Sequence, residues 1–171
     1  METGKAVREL SGTRVRGWRV WTVRETRAGV RLCSVLHDTM WTPSRVAVAC
    51  CADEASHESP ELSCSCGFHA AHDPVDALTY LRGRDDARTF CRVLGEVTLS
   101  GRIIETEAGW RASHAYPARL YAADTALVEV LAVYGVPVSC AECESRSSPT
   151  CTAMPPPSGL LSEIWSNVTS T

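Results

Sequence analysis

From Arg16 to Thr26 apolar residues are set among arginines and threonines, with Trp18, Val20, Trp21 and Val23 as the apolar members, and the run predicts a β-strand. Gly29 breaks it. Val30, Leu32 and Leu36 then recur at even spacing, so the two runs predict a hairpin across a small turn. Thr42-Pro43-Ser44 reads as a turn, and Val46 to Cys50 as a third short strand with Val46, Val48 and Cys50 on its core face. Further strands are expected over Arg92 to Leu99, Gly101 to Thr106 and Trp110 to Ala115. Glu107-Ala108-Gly109 supplies a hairpin turn there, and Gly95 and Gly101 are candidate bulges.

Two stretches switch to helical spacing. Asp73-Pro74-Val75-Asp76 places a capping acid, a first-turn proline and a capping-box acid in order, and a short helix should run to about Leu81 before Gly83 stops it. The second helix begins near Asp124 and puts Leu127, Val130, Leu131 and Tyr134 on one face before Gly135 and Pro137 end it. The fold class expected is α+β: a mostly antiparallel twisted sheet or partly closed barrel of about six strands, with two short helices. Residues 1–13 read as a polar leader and 14–138 as a single domain. From 139 to 171 the composition turns to Ser, Pro, Thr and Cys, which predicts a flexible tail without which the domain still folds.

Bulk properties narrow the function classes. At 171 residues the chain is long enough to bury about two-thirds of its unfolded surface, and its net charge of −3 creates no field that would draw it as a whole to nucleic acid or anionic lipid. Charge is uneven: residues 1–50 hold nine basic and four acidic side chains. No 18-residue apolar stretch and no signal-type leader is present, so a cytoplasmic protein with no membrane association is expected. Nine cysteines in that compartment point to metal rather than to disulfides.

The candidate chemistry is concentrated in Cys51, His57, Cys64 and Cys66. Three thiolates and an imidazole suit a tetrahedral, borderline-soft ion such as zinc in a structural site. The Cys64-x-Cys66-Gly67 turn can direct two sulfurs at one ion, and Cys51 and His57 can complete the shell from the preceding loop. A competing local group is Cys64, Cys66, His69 and His72, and Cys50 is a further alternative ligand. Glu54, Glu58 and Asp73 lie close in sequence, yet no known catalytic zinc motif includes them, so catalysis is disfavoured without being settled. Cys140, Cys143 and Cys151 form a weaker cluster in the tail, and Cys33 and Cys91 read as small core residues. Arg14, Arg16, Trp18, Arg19, Trp21 and Arg24 interleave aromatic and basic side chains, which suits either Trp-inward strand geometry or contact with single-stranded nucleic acid.

With these residues in view the chain resembles a family of small uncharacterised proteins of actinobacteria and their phages. The resemblance is carried by Gly17-Trp18-Arg19-Val20-Trp21, Cys51, His57, Cys64-Ser65-Cys66-Gly67-Phe68-His69-Ala70, Gly95-Glu96-Val97, Gly109-Trp110-Arg111-Ala112, Ala115-Tyr116-Pro117 and Tyr134-Gly135-Val136-Pro137-Val138. It covers roughly residues 17–138. It supports the domain limits and the metal assignment and implies no substrate. The function expected is a zinc-stabilised binding module, with a protein partner favoured over nucleic acid. A zinc-dependent enzyme acting on a small or nucleotide-like substrate and a redox-sensing zinc thiolate protein are the competing readings.

Overall fold

A computed structural model describes residues 7–37, 39–52, 57–83 and 85–141. It is an α+β protein with one eight-stranded sheet and two short helices. In chain order the elements are β1 (Arg8–Leu10), β2 (Val15–Thr26), β3 (Gly29–Ser34), β4 (Ala47–Val48), β5 (Phe68–Ala71), α1 (Pro74–Ala77), β6 (Thr89–Thr106), β7 (Gly109–Ala122), α2 (Thr125–Leu131) and β8 (Val138–Cys140). The two expected hairpins are present, β2 with β3 and β6 with β7. Both helices start where expected, with Asp73 accepting from the Val75 amide and Asp124 from the Leu127 amide. Each runs on into a 3-10 turn, Leu78–Tyr80 and Ala132–Tyr134. Among the described residues no helix is long and apolar enough to cross a membrane.

The strand count exceeds the expected six because three short strands lack an apolar run of their own. β1 lies within the polar leader and pairs with β6, while β5 follows the cysteine turn directly. β8 carries Ser139 and Cys140 alongside β7, so the ordered sheet reaches at least to Cys140, the first cysteine assigned to the tail. Conversely, the two strands expected over 92–106 are one 18-residue strand, bent where its register against β7 shifts between Ser100 and Ile103. The leader residues 1–6 and the tail beyond 141, with Cys143 and Cys151, lie outside the described residues.

The strands β6, β2, β5 and β7 pair in succession, and β7 returns to β6, so these four close into a ring. Side chains alternate across a strand, so Trp18 and Trp21, three apart on β2, face opposite sides of the sheet. Trp21 and Val23 enter the main core with Leu32, Trp41, Phe68, Val97, Ile103 and Leu120. Trp18 instead covers a smaller cluster of Val20, Leu94 and Ala77 on the outer side, beneath α1. Arg19 shares the inward face with Trp21, which departs from the expectation of tryptophan inward and arginine outward.

Aromatic packing organises the interior. Trp41 meets Trp21 and Phe68 edge-on, with centroids 5.4 Å and 5.1 Å away. Its indole donates to Ser34 Oγ at 3.1 Å. The Tyr134 hydroxyl, delivered by the turn after α2, donates to the Trp41 carbonyl at 2.7 Å and accepts from the Leu32 amide at 2.8 Å. One hydroxyl thus ties the C-terminal turn to β3 and to the loop that carries Trp41.

Ring closure requires β5 to sit unusually close to both neighbours. A Cβ on Gly17 of β2 would fall 2.7 Å from Ala70 Cβ, and one on Gly109 of β7 would fall 2.0 Å from the Ala70 carbonyl oxygen. Gly109 also has a φ of 151°, a conformation L side chains rarely adopt. Gly109→Ala should therefore destabilise the fold by on the order of 3 kcal/mol or more. Unchanged thermal unfolding of that variant would show that β5 does not need the close approach. Tyr134→Phe leaves the Leu32 amide and one Trp41 carbonyl lone pair buried without the hydroxyl, and should cost about 1–3 kcal/mol in denaturant unfolding.

Candidate metal centre

The connection from β4 to β5, residues 49–67, carries all four candidate ligands. Its entry is set by β4. Ala47 and Ala49 pack against the core, and the Ala49 amide donates to the Ser113 carbonyl at 2.8 Å, so the strand-like alternation continues past β4 and turns Cys51 inward. Val46 and Val48 are 49% and 66% exposed and Cys50 is exposed, which reverses the expected phase of this strand. The two small alanines instead lie along β7, Ala47 paired with Ala115 and Ala49 bonded to Ser113. Cys51 as the inward member is the part of that reading that the structure retains.

At the exit, the Cys64 amide donates to the Glu61 carbonyl at 3.2 Å and closes a tight turn. Gly67 follows at φ 113°, where a Cβ would lie 3.0 Å from Pro60 Cβ and 3.3 Å from the Ala112 carbonyl oxygen. The turn bearing Cys64 and Cys66 is pressed on β7 in this way, and β5 begins at the next residue.

One sulfur, one nitrogen and two further sulfurs converge. The ligand atoms of Cys51, His57, Cys64 and Cys66 all lie within 4.8 Å of one another, each on a half-buried residue, and the group could hold a metal ion. Cys51 Sγ is 3.8 Å from Cys64 Sγ, and His57 Nε2 is 3.4 Å from Cys66 Sγ. The surroundings divide the thiols unequally. Burial opposes ionisation of Cys66, but the Ser59 hydroxyl, His57 and the Glu61 amide outweigh it and bring the thiol down to about 6. Ser59 Oγ itself is buried with no hydrogen bond of good geometry, so its contribution is a dipole near the sulfur rather than a formed bond. For Cys64 the Cys66 amide favours the thiolate, while burial and the neighbouring Cys66 and Cys51 thiols prevail and push it up. Three thiols this close cannot all ionise unless a cation joins them.

The alternative ligands are engaged elsewhere. His69 Nε2 points at the Ser65 carbonyl at 2.8 Å, and since that oxygen only accepts, the ring proton sits on Nε2. Burial of its packed side, opposed by this bond, lowers His69, although much of the ring is exposed. His72 Nε2 donates to the Thr106 carbonyl at 2.8 Å, with its ring edge-on to Trp110 at 3.9 Å. The compact set of Cys64, Cys66, His69 and His72 is therefore not assembled. Cys50 faces solvent, Cys140 is buried in β8, Cys33 is buried in the core and Cys91 packs against it. Glu54 lies outside the described residues.

Arg111, quoted above only within the Gly109-Trp110-Arg111-Ala112 motif, is a contributor to this site that the linear sequence did not announce. Its Nη1 donates to the carbonyls of Glu61 at 3.3 Å, Cys66 at 3.1 Å and Cys64. Nothing local in Gly109-Trp110-Arg111-Ala112 announces this, because the carbonyls arrive from a loop some fifty positions away.

The basic N-terminal strand is largely occupied within the molecule. Arg16 pairs with Glu96 at 3.4 Å and Arg24 with Asp86 at 3.9 Å. Arg19 donates to the His69 carbonyl at 2.5 Å and to Ser34 Oγ at 3.1 Å, with its guanidinium 5.3 Å from the Trp41 ring centre. Arg14 is exposed. Comparison of the chain with known protein families, with curated proteins and with solved structures finds no match, so the resemblance to the actinobacterial and phage family rests on its quoted motifs alone.

Proposed function

We propose that the chain is a zinc-stabilised binding module in which Cys51, His57, Cys64 and Cys66 hold one structural zinc ion. The observation that carries this reading is the convergence of three sulfurs and one imidazole nitrogen within 4.8 Å. The spacing suits the ion. With Zn–S near 2.3 Å and Zn–N near 2.0 Å, a tetrahedral shell has S···S edges of about 3.8 Å and N···S edges of about 3.5 Å. The contacts at 3.8 Å and 3.4 Å match those edges. Hard oxygen-seeking cations would find no carboxylate in the set.

Four protein ligands fill a tetrahedral shell, which favours a structural role over catalysis. Glu61 supports the same view: the Leu62 amide, Arg102 and the nearby His57 hold its carboxyl below the usual range. Its side chain is tied to Arg102 at 3.3 Å rather than free to act as a base. A protein partner is favoured over nucleic acid because Arg16 and Arg24 are paired with acids and Arg19 is turned inward. Val46 and Val48, two of the apolar side chains that reach solvent, lie on and beside β4, which has only β7 as a neighbour among the described strands.

Elemental analysis of the reduced full-length protein should find one zinc per chain, and X-ray absorption should find three sulfurs and one nitrogen around it. Cys64→Ser or Cys66→Ser should lose the metal and destabilise the domain by several kcal/mol, as should chelation of the wild type. A metal-free wild type of unaltered stability would refute the reading.

A further inference from the structure

His69 and Arg111 stand opposite each other in the β5–β7 ladder, and both reach the back of the turn that carries Cys64 and Cys66. Arg111 holds the carbonyls of Glu61, Cys64 and Cys66, and His69 holds that of Ser65. Three consecutive carbonyls, 64 to 66, are thereby drawn to one side. A peptide's C=O and N–H point in opposite directions, so an oxygen fixed toward β5 or β7 sends the amide of the same peptide the other way. In the Ser65–Cys66 peptide the oxygen goes to His69, so the Cys66 amide faces away from β5.

Charge follows the same geometry. Three thiolates, a neutral imidazole and a divalent ion sum to one negative charge, and Arg111 supplies one positive charge directly behind the turn. Without Arg111 the Cys64 and Cys66 carbonyls would lose this donor, while that of Glu61 would keep the Cys64 amide.

We infer that Arg111 and His69 are positioning residues of the metal centre, which hold the Cys64–Cys66 turn in place, with one positive charge behind it, so that its two sulfurs favour bound zinc. The inference rests on the zinc reading above. Groups that orient ligands in this way typically contribute 10- to 100-fold in metal affinity.

The test uses the full-length protein, with zinc affinity measured by competition against a chromophoric chelator and the site geometry by cobalt(II) absorption. Arg111→Gln should weaken zinc binding by about 10- to 100-fold and shift the cobalt ligand-field bands, with the circular dichroism of the metal-free protein unchanged. His69→Ala should weaken binding in the same sense, and His69→Gln, whose amide can still donate to the Ser65 carbonyl, should restore it. A residue with a merely structural role would move stability and leave the cobalt spectrum of the loaded protein alone. Should Arg111→Gln fail to fold, Arg111→Lys keeps the charge and loses the planar donor, and about tenfold weaker binding is expected. Wild-type affinity and spectrum in the folded variants would overturn the inference while leaving the zinc reading intact. A wild type that takes up neither zinc nor cobalt would remove both.

Discussion

The close approach of β5 to its two neighbours is the constraint from which the metal centre follows. β5 is four residues long and carries too little apolar area to hold its place by burial alone. It closes the ring because Gly17 on one side and Gly109 on the other have no Cβ to keep it out, and because Phe68 and Ala70 then reach the core. Cys66 and Gly67 immediately precede it. Any displacement of β5 carries the Cys64–Cys66 turn with it, away from Cys51, which is fixed independently through β4 and the Ala49 contact to β7. The cluster of three sulfurs and one imidazole thus forms only where two separately anchored chain segments meet.

Arg19 solves a problem created by the same closure. On its free side β2 pairs with β5 only at Trp18 and with β3 from Trp21 onward, so the ladder is interrupted between them. The guanidinium bridges the interruption by donating to β5 at the His69 carbonyl and to β3 at Ser34 Oγ. Burial opposes its charge and pulls it down to about 10, yet it stays protonated at neutral pH, and Trp41 offers a ring face in place of a carboxylate. A half-buried arginine with backbone and aromatic partners is costly here, since its Nε is buried without a hydrogen bond. What it secures is the relative placement of β3 and β5.

The sequence exposed what local chemistry encodes and concealed what distant contact decides. Helix starts were legible because Asp73 and Asp124 cap within two or three residues, and the long strands because their apolar runs are long. The convergence of Cys51, His57, Cys64 and Cys66 was also legible, since thiols and imidazoles crowded into sixteen positions have few other uses. β1, β5 and β8 were missed because three or four residues give no measurable periodicity and their pairing partners lie far along the chain. The phase of β4 was misread for a related reason: valines looked apolar enough for the core, while Ala47 and Ala49 take the inward positions. Arg111 was hidden by chemistry that is entirely non-local, three carbonyls presented by another segment.

The connection between β4 and β5 runs to nineteen residues, longer than the irregular stretches that compact domains usually tolerate. Ordering such a stretch costs conformational entropy at every residue, and the price grows with each position held in place. Were Cys51, His57, Cys64 and Cys66 joined at one ion, the chain between them would become a set of short closed segments, each with fewer conformations to lose. Seen as polymer rather than as coordination chemistry, the convergence of Cys51, His57, Cys64 and Cys66 makes a branch point in the chain that joins β4 to β5.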